Sequence, residues 1–185
     1  MRQSYRSRLY ELLPDRHGIV TLAMAAAVGV PAVEVRKLAA RGALEREGRG
    51  VYRIPFAPVD SLQATIADLD SVAPDAFLVG RSVLSLFDIG LEMPFKAEVF
   101  VPRRVRRKLP SSVVLTTKKL PNEFELIKEV RCEPMFNILQ RRVNYEARPD
   151  RVERELDDAL AAMYIGSSEY DELHRLFDAR LASRE

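Results

Sequence analysis

Tyr5, Leu9, Leu12 and Leu13 fall on one side of an amphipathic pattern over residues 2–13, which Pro14 and the Asp-Arg-His-Gly behind it bring to an end. The short run at 18–21 reads as a strand or extended link, and Thr21 is a good N-cap because its hydroxyl can accept from an exposed amide of the next turn. The alanine-rich stretch 22–28 predicts a helix that stops at Gly29, a residue able to take the positive φ of a tight turn. Pro31 fits the first turn of a second helix, where its missing N–H costs nothing, and Gly42 closes that helix after Arg41. Residues 43–55 predict two short strands around a turn at Gly48 to Gly50.

Pro55 and Pro58 mark a boundary. Beyond it, Leu62, Ile66 and Leu69 recur at helical spacing until Pro74. A buried strand then feeds a helix ending near Gly90. β-branched runs predict strands at 96–102 and 111–120, and 123–134 reads as a third. Residues 135–143 predict a helix. Two amphipathic helices follow over 149–165 and 167–182, the second opened by a capping-box spacing from Ser168 to Asp171. The pattern predicts an α+β protein: an N-terminal winged helix-turn-helix domain over 1–56, then a mixed α+β domain with terminal helices over 57–185.

The helix-turn-helix reading rests on spacing. A small residue, Ala25, stands where two helices would cross, and Gly29 follows four positions on. Val35 and Leu38 can pack the second helix back on the first, which leaves Ala32, Val33, Arg36, Lys37, Ala40 and Arg41 on the opposite side or flanks. A helix whose outer face is small, then basic, can enter a major groove and reach base edges or phosphates. In the hairpin behind it, Arg46, Arg49 and Arg53 would give a wing that straddles the sugar-phosphate backbone. Winged helices also dock proteins, so an interaction module that binds no operator is the competing reading.

The stretch HGIVTLAMAAAVGVPAVEVRKLAARGALEREGRGVYRIP resembles the N-terminal winged helix of the AbiEi family of antitoxins, most tellingly in RGALEREGRGVYRIP, with similarity over residues 5–56. A second similarity lies in GRSVLSLFDIGL followed by AEVFVPRRVRRKLP, where Val83 replaces a common alanine and FDIGL a histidine-glycine ending. The resemblance implies a transcriptional autorepressor that binds inverted repeats in its own promoter, as a dimer on double-stranded DNA in one arrangement. It also implies a partner, an AbiEii-type nucleotidyltransferase toxin, which the C-terminal domain counters. By residue matching it assigns DNA contacts to Thr21, Arg36, Lys37, Arg41, Arg46, Arg49 and Arg53.

Charge sharpens this picture. The net +2 divides into +5 over residues 1–56 (ten Lys/Arg, five Asp/Glu) and −5 over 146–185 (six against eleven), so the two ends suit different partners. Residues 99–122 hold seven Lys/Arg and no acid, and Arg103, Arg104, Arg106, Arg107 and Lys108 form a second phosphate-contact candidate, or a dock for an acidic partner. Catalytic signals are missing. No Gly-Lys-Ser/Thr phosphate loop occurs, and Lys96 precedes Glu98 in the wrong order for a PD-(D/E)xK nuclease. Cys132 has no histidine near it in sequence, and with His17 and His174 it makes a poor zinc set. Glu153, Glu155, Asp157 and Asp158 read as the wet face of a helix. No enzyme activity, metal or cofactor is expected. With one cysteine, no secretory signal and no apolar run near the roughly 18 residues of a membrane span, a cytoplasmic location is expected.

Overall fold

The computed structural model describes residues 4–12, 18–55, 60–91, 93–106, 109–116, 119–120 and 123–183. Among them lie eight helices and two sheets in an α+β arrangement. The chain divides into two compact units, one of Met1–Ala76, Val101–Val113 and Leu126–Arg131, the other of Phe77–Phe100, Val114–Glu125 and Cys132–Glu185.

The first unit begins with α1 (Tyr5–Tyr10), β1 (Ile19–Thr21), α2 (Leu22–Ala27) and α3 (Ala32–Ala40). Local chemistry sets each end. Ser4 Oγ accepts from the Ser7 amide at 3.1 Å, and Thr21 Oγ1 from the Met24 amide at 3.1 Å. Helix α2 closes with paired bonds, Val30 N–H to Ala25 O at 2.8 Å and Gly29 N–H to Ala26 O at 3.0 Å, around Gly29 at φ 72°. The same pair of bonds ends α3, from Ala43 to Leu38 and from Gly42 to Ala39. Pro31 is the N-cap just before α3 rather than part of its first turn.

Strands β2 (Glu45–Gly48) and β3 (Val51–Arg53) form the hairpin, and the sheet runs β1-β3-β2, antiparallel throughout. Leu9, Val20, Ala25, Val30, Val35, Leu44, Tyr52 and Ile54 form one buried cluster, with Leu38 packed against it. Fully burying a side chain of this size stabilises by roughly 1.5–3 kcal/mol. Ala25 and Val35 share this cluster and Leu38 packs against it, which holds α3 to α2, while Gly29 contributes the turn between them. The unit continues past residue 56: α4 (Ser61–Val72), capped by Asp60, packs on β1, β2 and β3.

The second unit contains β4 (Phe77–Leu78), α5 (Arg81–Leu86), β5 (Ala97–Phe100), α6 (Met135–Tyr145), α7 (Pro149–Ala161) and α8 (Ser167–Ala182). With β6 (Val113–Leu115), β7 (Glu125–Ile127) and β8 (Val130–Cys132), strands β4 and β5 make a five-stranded sheet of order β6-β5-β4-β8-β7. Strand β4 is antiparallel to β5 and parallel to β8. The single strand expected over 123–134 is two, because Lys128 and Glu129 turn the chain with positive φ.

Helices α6, α7 and α8 pack on one another, burying Ile138, Leu139, Val143, Val152, Leu156, Leu173 and Phe177. Helix α7 ends at Ala161, short of the 165 its pattern suggests, and Met163 beyond it is exposed. Helix α8 starts earlier than the Ser168–Asp171 spacing suggests. Gly166 is its N-cap, and Glu169 Oε2 accepts from the Gly166 amide at 2.8 Å. The acidic face of α7 is not all wet. Glu155 is buried and receives two Arg142 hydrogen bonds at 2.7 and 2.8 Å, and Asp158 accepts from the Gly90 amide at 2.9 Å.

Candidate nucleic-acid interface

Helix α3 turns one side inward and one outward. Val35 is buried, Leu38 partly so, and Val33, Arg36, Lys37, Ala40 and Arg41 are exposed. Arg36 and Arg41 make no ion pair with a described residue. Lys37 Nζ donates to Glu34 Oε1 on its own helix at 2.8 Å, but both partners are wet. Such an exposed pair is worth about 0.3–0.5 kcal/mol, so an incoming phosphate can displace the carboxylate.

The hairpin arginines differ from one another. Arg49 stands in the turn, exposed and without an ion pair to a described residue. Arg46 is also exposed, but its Nε donates to Gly48 O at 3.2 Å. Arg53 is held by two carboxylates. Its Nε donates to Glu47 Oε1 at 2.6 Å, and its Nη2 pairs with Glu45, the residue opposite it across the hairpin. The Glu47 hydrogen bond and both negative charges hold the guanidinium above its usual range against a smaller burial effect. Of the three, Arg53 has the least charge to offer a phosphate. Thr21 uses one of its two oxygen lone pairs to cap α2 and is half-buried; its hydroxyl proton remains to donate.

The basic segment meets the hairpin turn. Arg49, Arg103, Arg104 and Arg106 line one cavity of about 420 Å³ together with Val72, Ala73 and Pro74. Asp75 neutralises Arg103 through two hydrogen bonds to its Oδ2, at 2.6 and 2.9 Å. Arg104 and Arg106 are exposed and have no ion pair with a described residue. Arg107 and Lys108 lie outside the described residues. A second cavity, of about 640 Å³, runs behind the turn between Glu47–Arg49, α4 and Leu109–Ser112. Burial pushes the Asp68 carboxyl there upward; the Ser112 hydroxyl opposes this and Glu47 adds to it.

The sequence reading missed two features. Arg53, expected in the wing beside Arg46 and Arg49, is bridged by Glu45 and Glu47, and the alternation of charge along the hairpin that puts Glu45 opposite it is the signal that could have pointed there. Of the five candidates in the phosphate segment, Arg103 is held by Asp75, and nothing near Arg103 in sequence points to that partner. Cys132 is buried, and burial with the nearby Glu125 carboxylate pushes its thiol far above the usual range, so the thiolate is suppressed. Among the described residues no group of His, Cys, Asp and Glu is placed to hold a metal ion, and no helix is long and apolar enough to cross a membrane. No curated protein matches the chain. Over residues 7–55, which hold most of α1 and everything through β3, the chain matches the AbiEi_4 family, described as "Transcriptional regulator, AbiEi antitoxin", the family its N-terminal sequence resembles.

Proposed function

We propose that residues 1–56 act as a winged helix-turn-helix that binds double-stranded DNA, and that the protein represses its own promoter through inverted repeats. One observation carries the reading: α3 is clamped by Val35 on its inner side while Arg36 and Arg41 stand exposed and uncommitted on the outer. Groups spent on internal ion pairs cannot displace counterions from DNA; these two can. In this reading α3 lies in the major groove, with Arg36, Lys37 and Arg41 facing bases or phosphates, and Thr21 donates to a phosphate. Arg46 and Arg49 hold the backbone beside the groove, with Arg53 shaping the wing. Arg104 and Arg106 continue the backbone contact, and two copies on the repeats give the dimer on DNA. Residues 57–185 carry the antitoxin activity against a nucleotidyltransferase-type toxin. The protein acts as a regulator in the cytoplasm and performs no catalysis.

The test is a duplex carrying the inverted repeats upstream of the gene, titrated beside a random-sequence duplex at low and high salt. Binding should weaken steeply with salt. Arg36→Ala with Lys37→Ala should bring the two duplexes to equal affinity while some binding remains. If the double variant keeps its preference for the repeats, α3 is not the reading helix. Absence of salt-dependent binding to either duplex would favour the protein-docking alternative.

A further inference from the structure

The hairpin turn is braced by a residue outside the matched segment. Gly48 has no positive φ, so its backbone conformation does not call for glycine. Space does. A Cβ at residue 48 would overlap the Ser71 Oγ and stand 3.3 Å from the Ser71 Cβ. Ser71 sits in the last turn of α4; its Oγ can rotate, but its Cβ is fixed to the helix backbone and still crowds the added atom.

The helix behind it is tied down. Ser112 Oγ donates to Asp68 Oδ2 at 2.5 Å, and Arg131 Nη2 donates to Asp70 Oδ1 at 2.6 Å, while Arg131 Nε donates to Ala76 O at 2.8 Å. From the other side, Gly50 O accepts from the Leu22 amide at 3.0 Å. The turn is thus fixed between the start of α2 and the end of α4. Arg49, the residue between those two contacts, is the one that shares a cavity with Arg104 and Arg106.

We propose that Ser71 is a positioning residue for duplex binding: its contact with Gly48 sets where Arg49 meets the phosphate backbone. This rests on the DNA-binding reading above. A displaced turn would cost a phosphate contact and leave base reading by α3 intact, so the effect belongs in the salt slope rather than in sequence preference.

The experiment uses the full chain and a labelled random-sequence duplex, titrated between about 50 and 200 mM salt. Gly48→Ala should make the slope shallower by about one and weaken binding about eightfold at 100 mM salt. Gly48→Ala with Ser71→Gly should return to within about twofold of the parent, because the overlapping atoms are gone. Adding Gly48→Ala to Arg49→Ala should cause no further loss. Melting temperatures of all variants are recorded. Should Gly48→Ala fail to fold, Ser71→Leu presses on the turn from the helix side and should give the same slope change.

Parent-like slopes in both Gly48→Ala and Ser71→Leu would overturn the proposal. So would a loss that Ser71→Gly does not relieve, or one that adds to Arg49→Ala. A parent protein that binds no duplex would sink the DNA-binding reading itself, and that result comes before any variant is made.

Discussion

Arg49 and Arg53 lie four residues apart in one hairpin and should respond to alanine in opposite ways. Arg53 bridges Glu45 and Glu47, with 15% of its side chain exposed. Removing it leaves the Glu45 and Glu47 carboxylates two residues apart on β2 with no cation between them, a repulsion that costs about 0.5–1 kcal/mol on a partly wet surface. Arg49 touches no described acid, so its loss should change stability by less than about 0.5 kcal/mol. On a duplex the ranking reverses: Arg49→Ala should flatten the salt slope by about one, and Arg53→Ala should act only through the shape of the turn. Urea melts and salt titrations of both variants check this. Equal salt slopes for the two would mean that the Glu45–Arg53–Glu47 bridge opens on DNA.

Among the elements, those read best from sequence were punctuated by chemistry that acts locally. Thr21, Gly29 and Gly42 end or start helices through bonds within six residues, so α2 and α3 were legible. The turn at Lys128–Glu129 was not, because its positive φ falls on residues that rarely adopt it, so the β-rich pattern over 123–134 reads as one strand where β7 and β8 are two. Nor could spacing show that α4 packs on the first sheet, since that depends on contacts between residues far apart in the chain. The same holds for the ties among α6, α7 and α8.

Glu146, at the end of α6, pairs with Arg142, and its backbone oxygen accepts from Arg180 of α8. Burial raises the Glu146 carboxyl, but Arg142 and the amides of Arg148 and Ala147 outweigh this and hold it below the usual glutamate value of 4.5. A carboxylate favoured by folding contributes fully above that value, and its contribution disappears as pH falls through the lowered one. The melting temperature of Glu146→Gln should therefore fall less between pH 6 and pH 3 than the parent's, from a lower starting point. An equal fall would show that other carboxylates govern the acid response.

For the whole molecule, the division of charge and the extent of the family match point the same way. The basic front coincides with the matched segment, residues 7–55, and the −5 of residues 146–185 lies outside it. Cationic surface suits DNA; acidic helices do not, because they would repel the phosphate backbone. If regulation and antitoxin activity use different surfaces, a change confined to the outer face of α3 should separate them. Arg36 and Lys37 are exposed and hold no buried partner, so replacing both with alanine should leave the fold within about 0.5 kcal/mol of the parent. The paired variant should then lose repression of a reporter driven by its own promoter, yet still protect cells that express a neighbouring nucleotidyltransferase toxin. Protein level must be matched between strains, since derepression alone would raise the dose. Loss of protection at equal dose would mean that the DNA-facing helix also meets the toxin or its substrate, and the assignment of antitoxin activity to residues 57–185 would fall.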